Sequence, residues 1–242
     1  MLTPQPKAAC EFFGKLLGWT YVEMPGMGYT VLVGGRNIGG LFDLHGPNTP
    51  PGTPAYIGVM VKVENADALC QKIAAFGGKA RPAFDIMDHG RLSVCFDPNG
   101  GEFDAWEPQK MHGTDVDSTL HGAPCWFQTL TSDVELAAKF YCDVFGWTAE
   151  VKAMPMRGVN YTSFKLNGEP VAGMLPILPQ MGEVKPHWAT YFTVSDVTAC
   201  ARDAVQLGAK LCVRVHDIPD VGSICGITSP QGVTFYVFKP VR

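Results

Sequence analysis

Charge is scarce in this chain. Asp, Glu, Lys and Arg make up 17% of 242 residues, with 23 acidic and 19 basic side chains and a formal net charge of −4. No run of Lys or Arg stands out, so a nucleic-acid backbone or an anionic membrane finds no electrostatic partner. No apolar run approaches the roughly 20 residues that a membrane helix needs. The opening MLTPQPKAAC lacks the basic and apolar regions of a signal peptide, which predicts a cytoplasmic protein. The eight cysteines include no C-x-x-C pair, and most sit in apolar patterns such as LSVCF and YCDVF. They read as reduced thiols rather than a disulfide scaffold. A phosphate loop, a dinucleotide fingerprint and a Ser-His-Asp signature are also missing. Gly34-Gly35 and Gly77-Gly78 read as turns, because neither sits between a strand and a helix N-terminus.

What is present is a folding composition, 46% hydrophobic, and a repeat. FFGKLLGWT (12–20) recurs as FYCDVFGWT (140–148). In the first copy Ala9, Phe12, Phe13, Leu16 and Leu17 fall at helical spacing, with Lys7, Glu11 and Lys15 on the other side. In the second the same places hold Ala137, Phe140, Tyr141, Val144 and Phe145. Gly18 and Gly146 fall where a left-handed residue ends a helix, and Trp19 and Trp147 begin an extended run.

The self-similarity continues. VGGRNIGG (33–40) resembles LNGEPVAG (166–173), each a predicted hairpin with a glycine turn. Linkers rich in Pro and Gly follow at 45–54 and 176–186. YIGVMVKV (56–63) answers to WATYFTV (188–194), both strand-like. NADALCQKIAAFGGK (65–79) answers to DVTACARDAVQLGAK (196–210), helices capped by Asn65 and Asp196. FDIMDHGRLSVCFDPNGGEFDAWEP (84–108) answers to HDIPDVGSICGITSPQGVTFYVFKP (216–240), where DPNG and SPQG suit tight turns between strands.

The predicted fold class is α+β, with four β-α-β-β-β modules at 1–45, 55–108, 121–176 and 186–240. They group along the chain as domain 1–108, linker 109–120 and domain 121–242. Aligning Phe12–Phe13 on Phe140–Tyr141 puts Met1 opposite Thr129, so most of the first strand of the first module is predicted to be missing.

Paired modules of this kind, with the helix ending FY…FGW and the DPNG strand, resemble the vicinal oxygen chelate superfamily. That group comprises glyoxalase I, bleomycin-resistance proteins and extradiol dioxygenases. PAFDIMDHGRLSVCFDPNGG with HDIPDVGSICGITSPQG is similar to its tandem glyoxalase-like members, often labelled hydroxylases or lyases. The resemblance implies two domains whose curved mixed sheets enclose clefts. It also implies that metal-dependent members line each cleft with His, Gln or Glu from the first and last strands of each module. Such ligands hold a divalent Fe, Mn, Ni or Zn.

Carried over residue by residue, those positions fall near Gly40, near Gly58, at Asp104, at Trp126, near Gly173, near Ala189 and at Tyr236. Only Asp104 offers a common donor, and one carboxylate does not retain a metal. No cofactor is therefore expected. A metal site recruiting Asp104 and His187, the latter by a register shift, is the alternative. His45, His89, His112, His121 and His216 fall in loops or at strand starts.

Aromatic rings take the place of ligands. Tyr56 and Trp106, with Trp126, Gln128, Trp188, Tyr191 and Tyr236, are the candidate ligand-binding residues, and Asp104 is the candidate catalytic one. Along EFDAW, Phe103 and Ala105 share one face while Glu102, Asp104 and Trp106 share the other. Two acids on one face predict a wet surface, where Asp104 serves as a base or binds a cation if burial raises its pKa. The expected function is binding, sequestering or turning over a small aromatic or carbonyl-bearing molecule, by a monomer or homodimer. The alternative is a metal-dependent lyase or dioxygenase/hydroxylase of the same superfamily.

Overall fold

The computed structural model describes residues 1–46, 49–154 and 158–241; Pro47 and Asn48 of the first linker lie outside them. The four predicted modules are all present. The first comprises β1 (Leu2–Thr3), α1 (Pro6–Leu17), β2 (Thr20–Met24), β3 (Gly28–Val33) and β4 (Arg36–Asp43). The second comprises β5 (Met60–Lys62), α2 (Ala66–Ala75), β6 (Lys79–Ala80), β7 (Phe84–Ile86), β8 (Gly90–Phe96) and β9 (Glu102–Pro108). The third runs β10 (Pro124–Thr131), α3 (Val134–Phe145), β11 (Thr148–Ala153), β12 (Asn160–Leu166) and β13 (Glu169–Pro176). The fourth runs β14 (His187–Thr193), α4 (Val197–Gln206), β15 (Lys210–Ile218), β16 (Gly222–Thr228) and β17 (Thr234–Pro240).

Local chemistry sets these boundaries. Asn65, Asp133 and Asp196 each accept a backbone N–H from three residues on, at 2.7, 2.9 and 2.9 Å. Helix α1 has no such side-chain cap and starts instead on Pro6, which has no N–H to satisfy. Gly18 and Gly146 close α1 and α3 at φ of 68° and 70°. In the hairpin joining β12 to β13, Asn167 and Gly168 both have positive φ, 52° and 86°, matching the twist of the flanking strands. Where the fourth module has the single strand β15, the second has β6 and β7, parted at Pro82, which cannot donate to the ladder. The first strand is short, as expected: the two residues of β1 pair in parallel with Phe42 and Asp43 of β4.

By their contacts the modules gather into two compact units that cut across the halves of the sequence. Unit 1 is 1–57 with 113–125 and 190–242; unit 2 is 58–112 with 126–189. The halves are units of repetition, whereas each compact unit joins one module from either half.

In unit 1 the strands run β1-β4-β3-β2 and β14-β17-β16-β15. Its core gathers Phe12, Phe13, Leu16, Leu17 and Trp19 with Val31, Leu41, Phe192, Ala204, Ile227 and Phe235. In unit 2 the strands run β5-β9-β8-β6, with β7 also on β8, and β11-β12-β13-β10. Its core gathers Leu69, Ile73, Phe103 and Ala105 with Phe140, Tyr141, Val144, Phe164, Met174 and Trp188. Each helix thus covers one face of a sheet. No helix among the described residues is long and apolar enough to cross a membrane. All eight cysteines are free.

Candidate functional site

Six of the candidate residues are strand partners or neighbours on three sheet faces: Asp104 with Trp106 nearby, Trp126 with Gln128, and Tyr191 with Tyr236. In unit 2, Asp104 sits at the middle of β9, flanked in register by Met60 of β5 and Val94 of β8. Its backbone N–H donates to the Val59 carbonyl at 2.9 Å. Phe103 and Ala105 point to the core, as alternation requires, but Asp104 is only 6% exposed. The expected wet face is therefore corrected to a desolvated one, because alternation fixes which face a side chain takes and not what covers it. The Oδ1 atom of Asp104 is buried without a hydrogen-bond partner. Burial, and next the charge of Glu102, push its carboxyl up to about 7. Trp106, two residues on, is also buried, and its indole N–H donates to the Met111 carbonyl at 2.9 Å. Its ring packs against Gly90, where a Cβ would come within 2.6 Å of it.

The second face, also in unit 2, spans β10, β13 and β12. Gln128 is paired with Gly173, and Gly173 with Ser163. Trp126 and Tyr161 lie two residues from Gln128 and Ser163 on the same side. The Trp126 N–H donates to the Tyr161 hydroxyl at 2.8 Å. A Cβ on Gly173 would fall 1.8 Å from that hydroxyl and 3.0 Å from Trp126 Nε1. The pair therefore occupies the space that a side chain at 173 would fill. Burial pushes the Tyr161 phenol up to about 12, so it stays protonated. Tyr161 escaped the reading of the sequence, although its alternation in NYTSF opposite a glycine is a signal that could have found it.

The third face belongs to unit 1. Tyr191 and Tyr236 are register partners on β14 and β17, with rings stacked at 4.7 Å and 23°. Gly226 lies beside Tyr236 on β16. A Cβ there would meet Cys212 Sγ at 2.9 Å and Tyr236 Cε1 at 3.0 Å, so thiol and phenol are neighbours. Burial, and then Cys212, raise the Tyr236 phenol to about 12.

The remaining candidates are elsewhere. Trp188 lies in the core of unit 2, where its N–H donates to the Tyr141 hydroxyl at 2.9 Å. This corrects the expectation that it faces ligand: in β14 it shares the parity of Thr190 and Phe192, not that of Tyr191. Tyr56 is half-buried and bridges Leu2 through its backbone in unit 1. His187 donates from Nδ1 to the Lys185 carbonyl at 2.8 Å.

A divalent metal of the kind the resemblance implies does not fit these residues. Among the described residues no three His, Cys, Asp or Glu side chains come together as a ligand set. Asp104 has an oxygen to give, but Gly173 stands at the matching last-strand position within unit 2 and offers no donor atom. Glu150, opposite Ser163, is already held by Lys152 and Lys165.

The architecture defines a tandem protein of four β-α-β-β-β modules. The sequence matches the model of the Glyoxalase/Bleomycin resistance protein/Dioxygenase superfamily over residues 1–104 and 126–237, and the chain belongs to that family. It is 33% identical to "Putative glyoxylase CFP32" of Mycobacterium tuberculosis, over 98% of this chain and 92% of that protein. It is 30% identical to the anthracycline biosynthesis protein DnrV of Streptomyces peucetius, over 98% and 90%.

Among solved structures, the 2,3-dioxygenase LapB from Pseudomonas sp. KL28 superposes with a TM-score of 0.66 at 12% identity, over 99% of this chain and 90% of that one. The Mn(II)-bound glyoxalase from Novosphingobium aromaticivorans gives 0.65 at 15%, over 98% and 79%. At such identities these two structures speak for the fold alone.

Proposed function

We propose that this chain is a metal-independent member of its family that binds a small aromatic, carbonyl-bearing molecule. The observation that carries the proposal is the replacement of donor atoms by ring pairs. Trp126–Tyr161 closes over Gly173, and Tyr191 stacks on Tyr236 beside another glycine. Flat apolar surface with a few polar tips is what holds and orients a planar organic ligand. The name of DnrV, an anthracycline biosynthesis protein, supports an aromatic ligand.

Asp104 is the group we assign to proton handling. A carboxyl that titrates near 7, with one oxygen unpartnered, either accepts a proton from a ligand hydroxyl or carbon acid, or neutralises a ligand cation. The same residue decides between binding and turnover. A test is thermal denaturation of the protein with a panel of aromatic ketones and phenols at pH 6 and pH 8. A ligand that binds the folded chain raises the melting temperature with its concentration. Stabilisation by aromatic carbonyl compounds, insensitive to chelator, is the expected result; no stabilisation by any of them would reject the proposal. The alternative is a metal-dependent lyase or oxygenase of the same superfamily, with Asp104 and His187 as ligands. It predicts activity abolished by chelator and restored by Mn(II).

A further inference from the structure

We infer that the face over Gly173 is a carbonyl-recognition site built from two hydrogen-bond donors, the Tyr161 hydroxyl and the Gln128 amide. This deepens the proposed function and rests on it. Three observations carry it.

The first is directional. Trp126 donates to the Tyr161 oxygen, so that oxygen serves as acceptor in the only hydrogen bond it makes among the described residues. The phenolic proton has no acceptor there and is available to a ligand. Accepting a hydrogen bond polarises the O–H and makes it a stronger donor. The raised pKa keeps the proton in place over the physiological range.

The second is Gln128. The residue is 6% exposed, and its side-chain amide makes none of the hydrogen bonds found among the described residues. An amide that spends no hydrogen bond inside the protein has both its N–H donors to offer a ligand. Its strand partner is Gly173, and it lies two residues along β10 from Trp126, on the same face. The unpartnered amide and the unpartnered phenolic proton thus flank one glycine.

The third is Gly173 itself. Its φ is not in the left-handed region, so no turn requires glycine here; what requires it is the hydroxyl seated against its Cα. Any larger residue would evict Tyr161 from Trp126.

A single ligand oxygen carrying two lone pairs, as in a ketone, aldehyde or quinone, satisfies both donors at once. The adjoining indole and phenol rings cover the planar body. A hydrocarbon of the same shape would gain the ring contacts and leave both donors unpaired, so the site discriminates by the carbonyl.

The test uses the full chain with 1-indanone and its carbonyl-free analogue indane, titrated by calorimetry. Variants Tyr161→Phe and Gly173→Ala are compared with the parent, each first shown to be folded by circular dichroism. The inference predicts that the parent binds 1-indanone more tightly than indane, by about tenfold for one good hydrogen bond. Tyr161→Phe should remove most of that preference while leaving indane within twofold. Gly173→Ala, which displaces the hydroxyl from a different position, should also remove the preference, while the shifted ring changes the binding of both compounds alike. The infrared carbonyl band of bound 1-indanone should lie at lower frequency in the parent than in Tyr161→Phe. If 1-indanone binds but the variants keep its preference and band position, the inference is overturned and aromatic binding stands. If the parent binds neither compound, the inference and the aromatic-ligand reading of this face fall together.

Discussion

The two compact units solve one packing problem with different chemistry. In unit 1, Phe13 of α1 stacks on Trp19 at 4.8 Å and meets Phe235 of β17 at 5.0 Å. The turn beside it begins with Ser229, whose hydroxyl accepts the Val233 N–H. In unit 2 the place of Phe13 is taken by Tyr141, that of Phe235 by Phe103, and that of Ser229 by Asp97. The added hydroxyl would be a liability if unmatched, and it is matched on both sides. Tyr141 donates to Asp97 Oδ2 at 2.7 Å and accepts the Trp188 indole N–H at 2.9 Å. Asp97 Oδ1 also takes the N–H groups of Asn99 and Gly101. One joint is closed by rings alone, the other by rings plus a buried polar chain in which each partner completes the next. The lesson is that the duplicated fold requires shape at this joint, while polarity is admitted only as a complete set.

Breaking the set should produce the largest effect. Tyr141→Phe leaves the Trp188 N–H without an acceptor and Asp97 Oδ2 without its donor, and should cost about 2–4 kcal/mol in denaturant unfolding. Adding Asp97→Ser, which imports the solution of unit 1, should cost less than the sum of the two single changes, since the partners are coupled. Additive costs would mean that the network is not one unit. The reciprocal change, Phe13→Tyr, puts a hydroxyl among rings and should cost about 1–3 kcal/mol.

Asp104 sharpens the comparison, since Tyr236 is its counterpart in the fourth module. Its folded pKa of about 7 exceeds its ordinary value of 3.8, so the folded state binds the proton more tightly. Its contribution therefore favours folding below about pH 4 and is lost as pH rises towards 7. Asp104→Asn should be the more stable protein at pH 8, by about 2 kcal/mol, with the advantage gone by pH 4. A constant difference across that range would show that the carboxyl titrates normally.

The smallest effect contrasts the helix starts. Asp133→Ala removes the cap of α3 and should cost about 1 kcal/mol, whereas Gln5→Ala at the uncapped start of α1 should be nearly neutral.

Much of this was legible in the sequence because it rests on local rules. The caps at Asn65 and Asp196, the left-handed Gly18 and Gly146, and the shortfall of the first strand all follow from residue chemistry and register. Trp188 and Tyr191 were separable by parity alone, three positions apart on one strand. What alternation could not supply was coverage. Asp104 and Gln128 are enclosed by neighbours distant in sequence, and only the folded structure shows that Asp104 Oδ1 is left buried without a partner. Module pairing was illegible for the same reason. The repeat tells which segments are alike, whereas helix packing, such as Phe140 against Gly78, decides which segments meet.

The central claim is that rings and glycines stand where this family's metal-dependent members hold an ion. Metal content of the purified chain, measured by mass spectrometry after dialysis and again after incubation with excess Mn(II) and gel filtration, tests it most directly. The account predicts sub-stoichiometric metal in both samples. About one tightly retained ion per chain, lost on substituting Asp104 or His187, would contradict it.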